Sequence, residues 1–224
     1  MKQMNEMKEF FQQATTPELA EYLLGMYLEH ETPMGKLGGY IVDCEDYLGP
    51  DDEAAHSFGM RQTKRVQAMY GPPGTIYLYT MHTHLILNII AREAGLPQGV
   101  MLRGFEPVAG LALMEENRGG RKGPEVSNGP GKLVAALAVT KDFYGQSIFD
   151  SRLHLVPEKR RYPQVVEKLP RVGIPNKGQW TDMPLRYTVK GNPYVTGQRK
   201  QAYLPNNGWR DEDENGFSII SRNK

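Results

Sequence analysis

The chain has little cysteine, little net charge and no long apolar run. Cys44 is the only cysteine in 224 residues, so no internal disulfide can form and a cysteine-rich metal centre is excluded. Its expected place is a buried position in a strand, in a reducing compartment. No apolar stretch approaches the length of a membrane span, and the opening MKQMNEMKEFFQQATTPE lacks the uninterrupted apolar segment of a secretory signal. The expectation is a cytoplasmic protein with no membrane partner. Also missing are a Gly-x-x-x-x-Gly-Lys-Ser/Thr loop, a dinucleotide-binding glycine fingerprint and a Gly-x-Ser-x-Gly elbow, which removes support for nucleotide hydrolases, dehydrogenases and serine hydrolases. A formal net charge of +1 does not advertise a polyanion partner. The total hides an imbalance, because residues 118–161 hold nine Lys and Arg against four acids while the compensating acids lie near Asp51 and in RDEDE, 210–214. Each such cation taken alone reads as solvated surface; only a contiguous basic face beside a pocket would make a phosphate track.

With 39% hydrophobic and 24% charged residues the chain is long enough to bury one sizeable core. In TTPELAEYLLGMYLEHET, Thr16 offers an N-cap, Pro17 suits the first turn, and Leu19, Tyr22, Leu23, Met26 and Tyr27 recur at helical spacing. One amphipathic helix is expected there. GGYIVDCEDYL, TIYLYTM, LILNIIA, QGVMLRGFEP and LRYTVKG are rich in β-branched and aromatic residues and bounded by Gly and Pro, as strands are. Helices at 108–116 and 131–139, with no regular βαβ repetition, point to a mixed α/β or α+β domain around a curved sheet. The expected organisation is one domain over 1–197, followed by a polar tail, 198–224, that is peripheral or partly disordered.

The densest chemistry lies in DCEDYLGPDDEAAH, residues 43–56. As a strand, YIVDCEDYL puts Asp43, Glu45 and Tyr47 on one face and Cys44, Asp46 and Leu48 on the other, with Glu45 and Tyr47 near its end. A carboxylate beside an aromatic ring at such a mouth suits water activation, because apolar surroundings raise its proton affinity. From pattern alone an edge strand with solvated acids is the plainer reading. Downstream, Gly71-Pro72-Pro73-Gly74 makes a rigid turn, after which Tyr77 and Tyr79 project together, as core residues or as flat stacking surfaces for a planar ligand. His82 and His84 alternate on the same strand and would need a third ligand such as His56 or Glu45 to chelate zinc. Lys132 stands at a helix start, where it reads equally as a surface lysine or as part of a phosphate site.

The order of these segments says more than any one of them. IVDCEDYLGPDDEAAHS, GMRQTKR, GPPGTIYLY, LILN, VMLRGFEP, NGPGKLVAALAV, RVGIPNKGQW and PLRYTVKGNPYV together resemble the alkyladenine (3-methyladenine) DNA glycosylase family, from about Phe10 to Val195. The resemblance implies a single compact domain with a curved antiparallel sheet flanked by helices. It further implies a monomer that binds double-stranded DNA containing damaged purines, flips out the base and hydrolyses its glycosidic bond with no cofactor and no metal. Glu45 matches the family's catalytic carboxylate, and Tyr47 and His56 match its base-pocket aromatic and base-contacting histidine. Tyr79 matches the opposite wall, Asn88 the asparagine that clashes with the guanine amino group, and Arg103 the arginine that helps to hold the water. Val172 matches a residue whose backbone carbonyl makes a third contact.

Two departures stand out. The family's Glu-Thr-Glu-Ala-Tyr is here Asp43-Cys44-Glu45-Asp46-Tyr47, which adds a charge at Asp46. YTMHTHLILN is one residue short and lacks the tyrosine that wedges into the gap left by the flipped base, leaving Met81, with His82 beside it, as the candidate. Arg61, Arg65 and Lys132 are the expected phosphate contacts. The competing readings are a lesion-binding protein of the same fold without turnover and a zinc hydrolase built on His82 and His84.

Overall fold

The computed structural model describes residues 2–211. Two helices open the chain, α1 (Lys2–Gln13) and α2 (Thr16–Leu23). The cap of α2 is Thr15 rather than Thr16: its hydroxyl accepts from the Glu18 N–H while the Glu18 carboxylate accepts from the Thr15 N–H, a reciprocal capping box. The helix also stops sooner than its periodicity suggests. Gly25 takes φ +78° with its Cα against the Arg161 carbonyl, where any side chain would collide, and the residues beyond it form a strand, β1 (Tyr27–Thr32). Leu19, Ala20 and Leu23 of α2 are fully buried, each leucine contributing roughly 1.5–3 kcal/mol by leaving water.

The remaining strands are β2 (Gly35–Tyr47), β3 (Ile76–Met81), β4 (His84–Ile90), β5 (Gly99–Ala109), β6 (Leu153–Val156), β7 (Val166–Leu169) and β8 (Arg186–Val189). Three short helices complete the set: α3 (Leu111–Asn117), α4 (Pro130–Ala136) and α5 (Gln179–Asp182). All strand pairs are antiparallel and run in the order β3-β4-β5-β2-β1-β6, with β8 joined to β2 and β7 to β8. The fold is therefore mixed α/β, one compact domain around a curled antiparallel sheet. Irregular register between β2 and β5, at Gly38/Gly39 and from Ile41 to Cys44, bends the central strand.

One face of the sheet packs on the helices. Cys44 points there, fully buried, its Sγ donating to the Ala20 carbonyl at 3.3 Å. Burial holds its thiol well above the ordinary range, which leaves it unreactive. A smaller apolar cluster of Val66, Ala68, Met69, Tyr77 and Ile90, backed by Tyr70, Tyr79 and Tyr144, supports the opposite face near β3.

The segment expected to be a peripheral tail is docked as far as Asp211. Trp209 has no exposed surface, and its indole N–H donates to Glu106 Oε2 at 2.8 Å, with Asn192 and Asn207 on the same carboxylate. Most of 198–211 stays at the surface, and the polar stretch masked one anchoring tryptophan. Residues 212–224 lie outside the described residues. No described helix is long and apolar enough to cross a membrane.

Candidate active site

β2 is a central strand, held by β5 on one side and β8 on the other, so its acids are not the solvated acids of an edge. Asp43 accepts both fork nitrogens of Arg186 at 2.9 and 2.8 Å and the Thr196 N–H at 3.0 Å. Asp52 accepts from the Leu48 and Ala54 N–H groups and shapes the turn after the strand. Asp46 lies buried on the far face, where its carboxyl meets the Tyr187 hydroxyl. Only Glu45 and Tyr47 face the open side together.

Directly opposed residues of an antiparallel sheet share a face, so the register Glu45↔Met101, Met101↔Asn88, Asn88↔Tyr77 lays out one row. Met101, 3% exposed, floors the site between Glu45 and Asn88. Sequence reasoning passed over it, because only the register reveals its position. Arg103 lies two residues along the same face of β5, its Nη1 3.3 Å from Glu45 Oε1. Glu45 Oε1 also accepts the Val172 N–H at 2.9 Å, and Oε2 accepts from the Tyr47 hydroxyl at 3.2 Å. The Val172 amide is thus engaged by the carboxylate itself. Burial raises the Glu45 pKa, while Arg103 and the Val172 N–H pull against that shift. A carboxylate so placed is a stronger base than one in water.

The aromatic side of the site comes from β3 and the turn after β2. Tyr77 and Tyr79 stand two residues apart on one face, near-parallel with ring centres 6.0 Å apart. His56 meets Tyr79 edge-on at 4.3 Å and shares a 3.0 Å hydrogen bond between its Nδ1 and the Tyr77 hydroxyl. The outer edge of the imidazole is open, while desolvation of its inner edge, aided by Arg65 and Arg61, holds its pKa below the ordinary value. Asn88 is buried, its Nδ2 donating to the Tyr77 carbonyl at 3.2 Å. The structure thus brings Glu45, Tyr47, His56, Tyr79, Asn88, Arg103 and Val172 to one side of the sheet.

The rim is both apolar and basic. Met81 is 45% exposed at the end of β3, beside the two-residue turn His82-Thr83, where His82 takes φ +53°. Arg65 donates to the Thr80 carbonyl and so ties the 58–65 loop to this hairpin. Phe58 and Met60, which sequence reasoning did not single out, expose about half of their surface on that loop, next to the exposed Arg61, Lys64 and Arg65. Lys132, by contrast, is paired with Glu125 and Asn128 at 2.8 Å each. Other cations of 118–161 are also engaged: Lys159 binds Glu29, Arg160 lies over Tyr22, and Arg161 over Tyr40 and Trp209. The basic stretch does not form a free phosphate track along its length.

No group of three or more His, Cys, Asp or Glu among the described residues is placed to hold a metal ion, so the pairing of His82 and His84 with His56 or Glu45 is not formed.

A family model described as methylpurine-DNA glycosylase matches residues 9–193. A protein of Enterococcus faecalis that bears the name 3-methyladenine DNA glycosylase is 64% identical over 95% of this chain and 93% of its own length. Proteins of the same name from Listeria monocytogenes serotype 4a and Staphylococcus carnosus are 48% and 46% identical, over 87% and 85% of this chain and 94% and 92% of theirs. Because the match spans β2, the aromatic hairpin and the loop that carries Val172 alike, and the relatives align over nearly their full lengths, the chain belongs to the methylpurine-DNA glycosylase family and is a DNA-repair glycosylase.

Proposed function

We propose that this glycosylase acts on duplex DNA carrying alkylated purines, 3-methyladenine first among them, with 7-methylguanine and hypoxanthine as further candidates. The observation that carries the reading is the buried Glu45, raised in proton affinity and held between Arg103, Tyr47 and the Val172 N–H beside an aromatic slot. A flipped purine stacks between Tyr47 and Tyr79, which offsets part of the few kcal/mol that extrusion costs. With the Tyr77 hydroxyl donating to Nδ1, His56 presents Nε2–H to the edge of the base.

In the chemical step the bond from the sugar C1′ to the purine nitrogen breaks and its electron pair leaves with the base. A water oxygen forms the new bond to C1′, and Glu45 takes the water's proton while its charge steadies the oxocarbenium-like sugar. Arg103 shares the hold on that water. Phe58, Met60 and Met81 form the apolar rim that enters the duplex, and Arg61, Lys64 and Arg65 meet phosphates.

Base release from duplexes with one methylated adenine or one hypoxanthine tests this directly. The wild-type protein is expected to release the base, and Glu45→Gln to bind the same duplex while losing about a hundredfold or more in rate. A glutamine variant that turns over at the wild-type rate removes Glu45 from the mechanism. Binding without base release by the wild type would favour the lesion-sensor reading.

A further inference from the structure

One buried cation underlies the site without facing the base. Arg171, in the loop after β7, forms a bidentate pair with Asp52, Nη1 to Oδ2 at 2.6 Å and Nη2 to Oδ1 at 2.9 Å, and neither side chain has any exposure. Nη1 also donates to the Asp46 carbonyl at 2.9 Å, and Nη2 reaches the Trp180 carbonyl at 3.4 Å. The guanidinium carbon lies over the Tyr47 ring, 4.7 Å from its centre. The next residue supplies the N–H that Glu45 accepts.

We propose, on the glycosylase reading above, that Arg171 clamped by Asp52 is a positioning residue that fixes together the stacking ring of Tyr47 and the Val172 N–H that orients Glu45. Two features of the sheet make such a device necessary. Tyr47 is the last residue of β2 and pairs with Gly99, so no cross-strand side chain steadies its ring. Val172 lies in an irregular loop and is itself exposed, so its amide is aimed only as well as that loop is anchored. Arg171 supplies both supports from one rigid plane: its edge takes the carboxylate and the Asp46 carbonyl, its face takes the ring.

The requirement is for guanidinium and not merely for charge. A lysine offers a point charge that can neither fork onto a carboxylate nor stack flat on a ring. Asp52 extends the device further, because the same carboxylate accepts the Leu48 and Ala54 N–H groups in the turn that leads to His56. The end of β2, the His56 turn and the Val172 loop thus meet at one ion pair. A buried pair of this kind is a poor source of net stability and a better source of fixed geometry.

The test is Arg171→Lys, with Asp52→Glu as a second variant that keeps the pair but displaces it by one methylene. Each is checked by near-ultraviolet circular dichroism and assayed for single-turnover base release against pH. Both are expected to be folded and to release base on the order of ten to a hundredfold more slowly, the usual cost of small misplacement. The acid limb of the pH–rate profile should also move to higher pH. That shift follows from displacement of the Val172 N–H and the Tyr47 hydroxyl, both of which donate to Glu45 and favour its ionised form, against an unchanged background of Arg103 on β5, Arg186 on β8, Asp43 on β2 and Tyr79 on β3. Folded variants with the wild-type rate and midpoint overturn the proposal. So does a slower rate with an unmoved midpoint, and so does failure of both variants to fold, since either assigns Arg171 to the scaffold alone. Wild-type protein that releases no base sinks the glycosylase reading itself, an outcome distinct from a working wild type matched by its variants.

Discussion

Asp46 sits one residue from Glu45 on the opposite face of β2, and burial pushes its pKa up to about 8, opposed by Tyr187, Arg171 and Lys168 and assisted by Glu21. Its folded-state pKa therefore lies above the unfolded value of 3.8. The native state keeps a proton that the unfolded chain has released, so stability is highest below the unfolded value and falls as pH rises from there towards about 8. Asp46→Asn keeps the shape and removes the titration. The variant should melt higher than the wild type at pH 8 and converge with it only as pH falls to about 4; parallel melting curves at all pH values would show that Asp46 is solvated. Asn88 is the other residue whose effect follows from its surroundings, since the Tyr77 carbonyl holds its amide beside the aromatic slot. Asn88→Ser should raise excision of guanine relative to methylated adenine, because a smaller side chain leaves room for the exocyclic amino group. An unchanged ratio would place the discrimination elsewhere.

Among the elements, the β3–β4 hairpin is where the sequence reading places a departure from the family pattern. Its two-residue turn, with His82 left-handed, leaves Met81 as the exposed apolar residue at the tip. A side chain inserted where the flipped base was offsets unstacking, and a mismatch already lowers the cost of flipping. Met81→Ala should therefore slow excision more on well-paired lesions than on mismatched ones. Equal slowing would point to Phe58 or Met60 as the wedge. The hairpin was legible from sequence because alternation with period two survives in any strand, and the same rule put Glu45 and Tyr47 on one face. The helix α2 and strand β1 were not separable in that way. Leu19 to Tyr27 keeps helical spacing, and what ends the helix is a carbonyl of Arg161 from far along the chain pressed against Gly25. Strands β6 and β7 are four residues each and owe their form to the neighbours they pair with. For the same reason Val172 was found only through the family resemblance, and Met101 and Arg171 only through the register and the side chains that meet them.

Across the whole molecule the near-zero net charge conceals how the cations are spent. In the stretch with the greatest excess of Lys and Arg, four of the nine cations, Lys132, Lys159, Arg160 and Arg161, are committed within the molecule, to Glu125, Glu29 and the rings of Tyr22, Tyr40 and Trp209. Arg161, stacked on Trp209, and Glu106, which receives its indole N–H, use charge to hold the 198–211 segment rather than to meet DNA. The loop with Arg61, Lys64 and Arg65 is different. Its cations are exposed, adjoin the aromatic slot through His56 and the Thr80 carbonyl, and border a groove of about 320 Å³ lined in part by Lys64 and Tyr70. Each cation that meets a phosphate releases counterions, so affinity should fall steeply with salt, and each such contact removed should flatten the log–log slope by about one. Arg61→Gln combined with Lys64→Gln is expected to lower that slope by about two, with weakening that is uniform across lesions. Lys159→Gln, which breaks the ion pair with Glu29 and the ammonium's contact with the Tyr27 ring, should leave the slope unchanged. A slope that responds to Lys159 and not to the loop would move the DNA-binding face to the opposite edge of the sheet, beside β6, and detach it from the carboxylate that the duplex must reach.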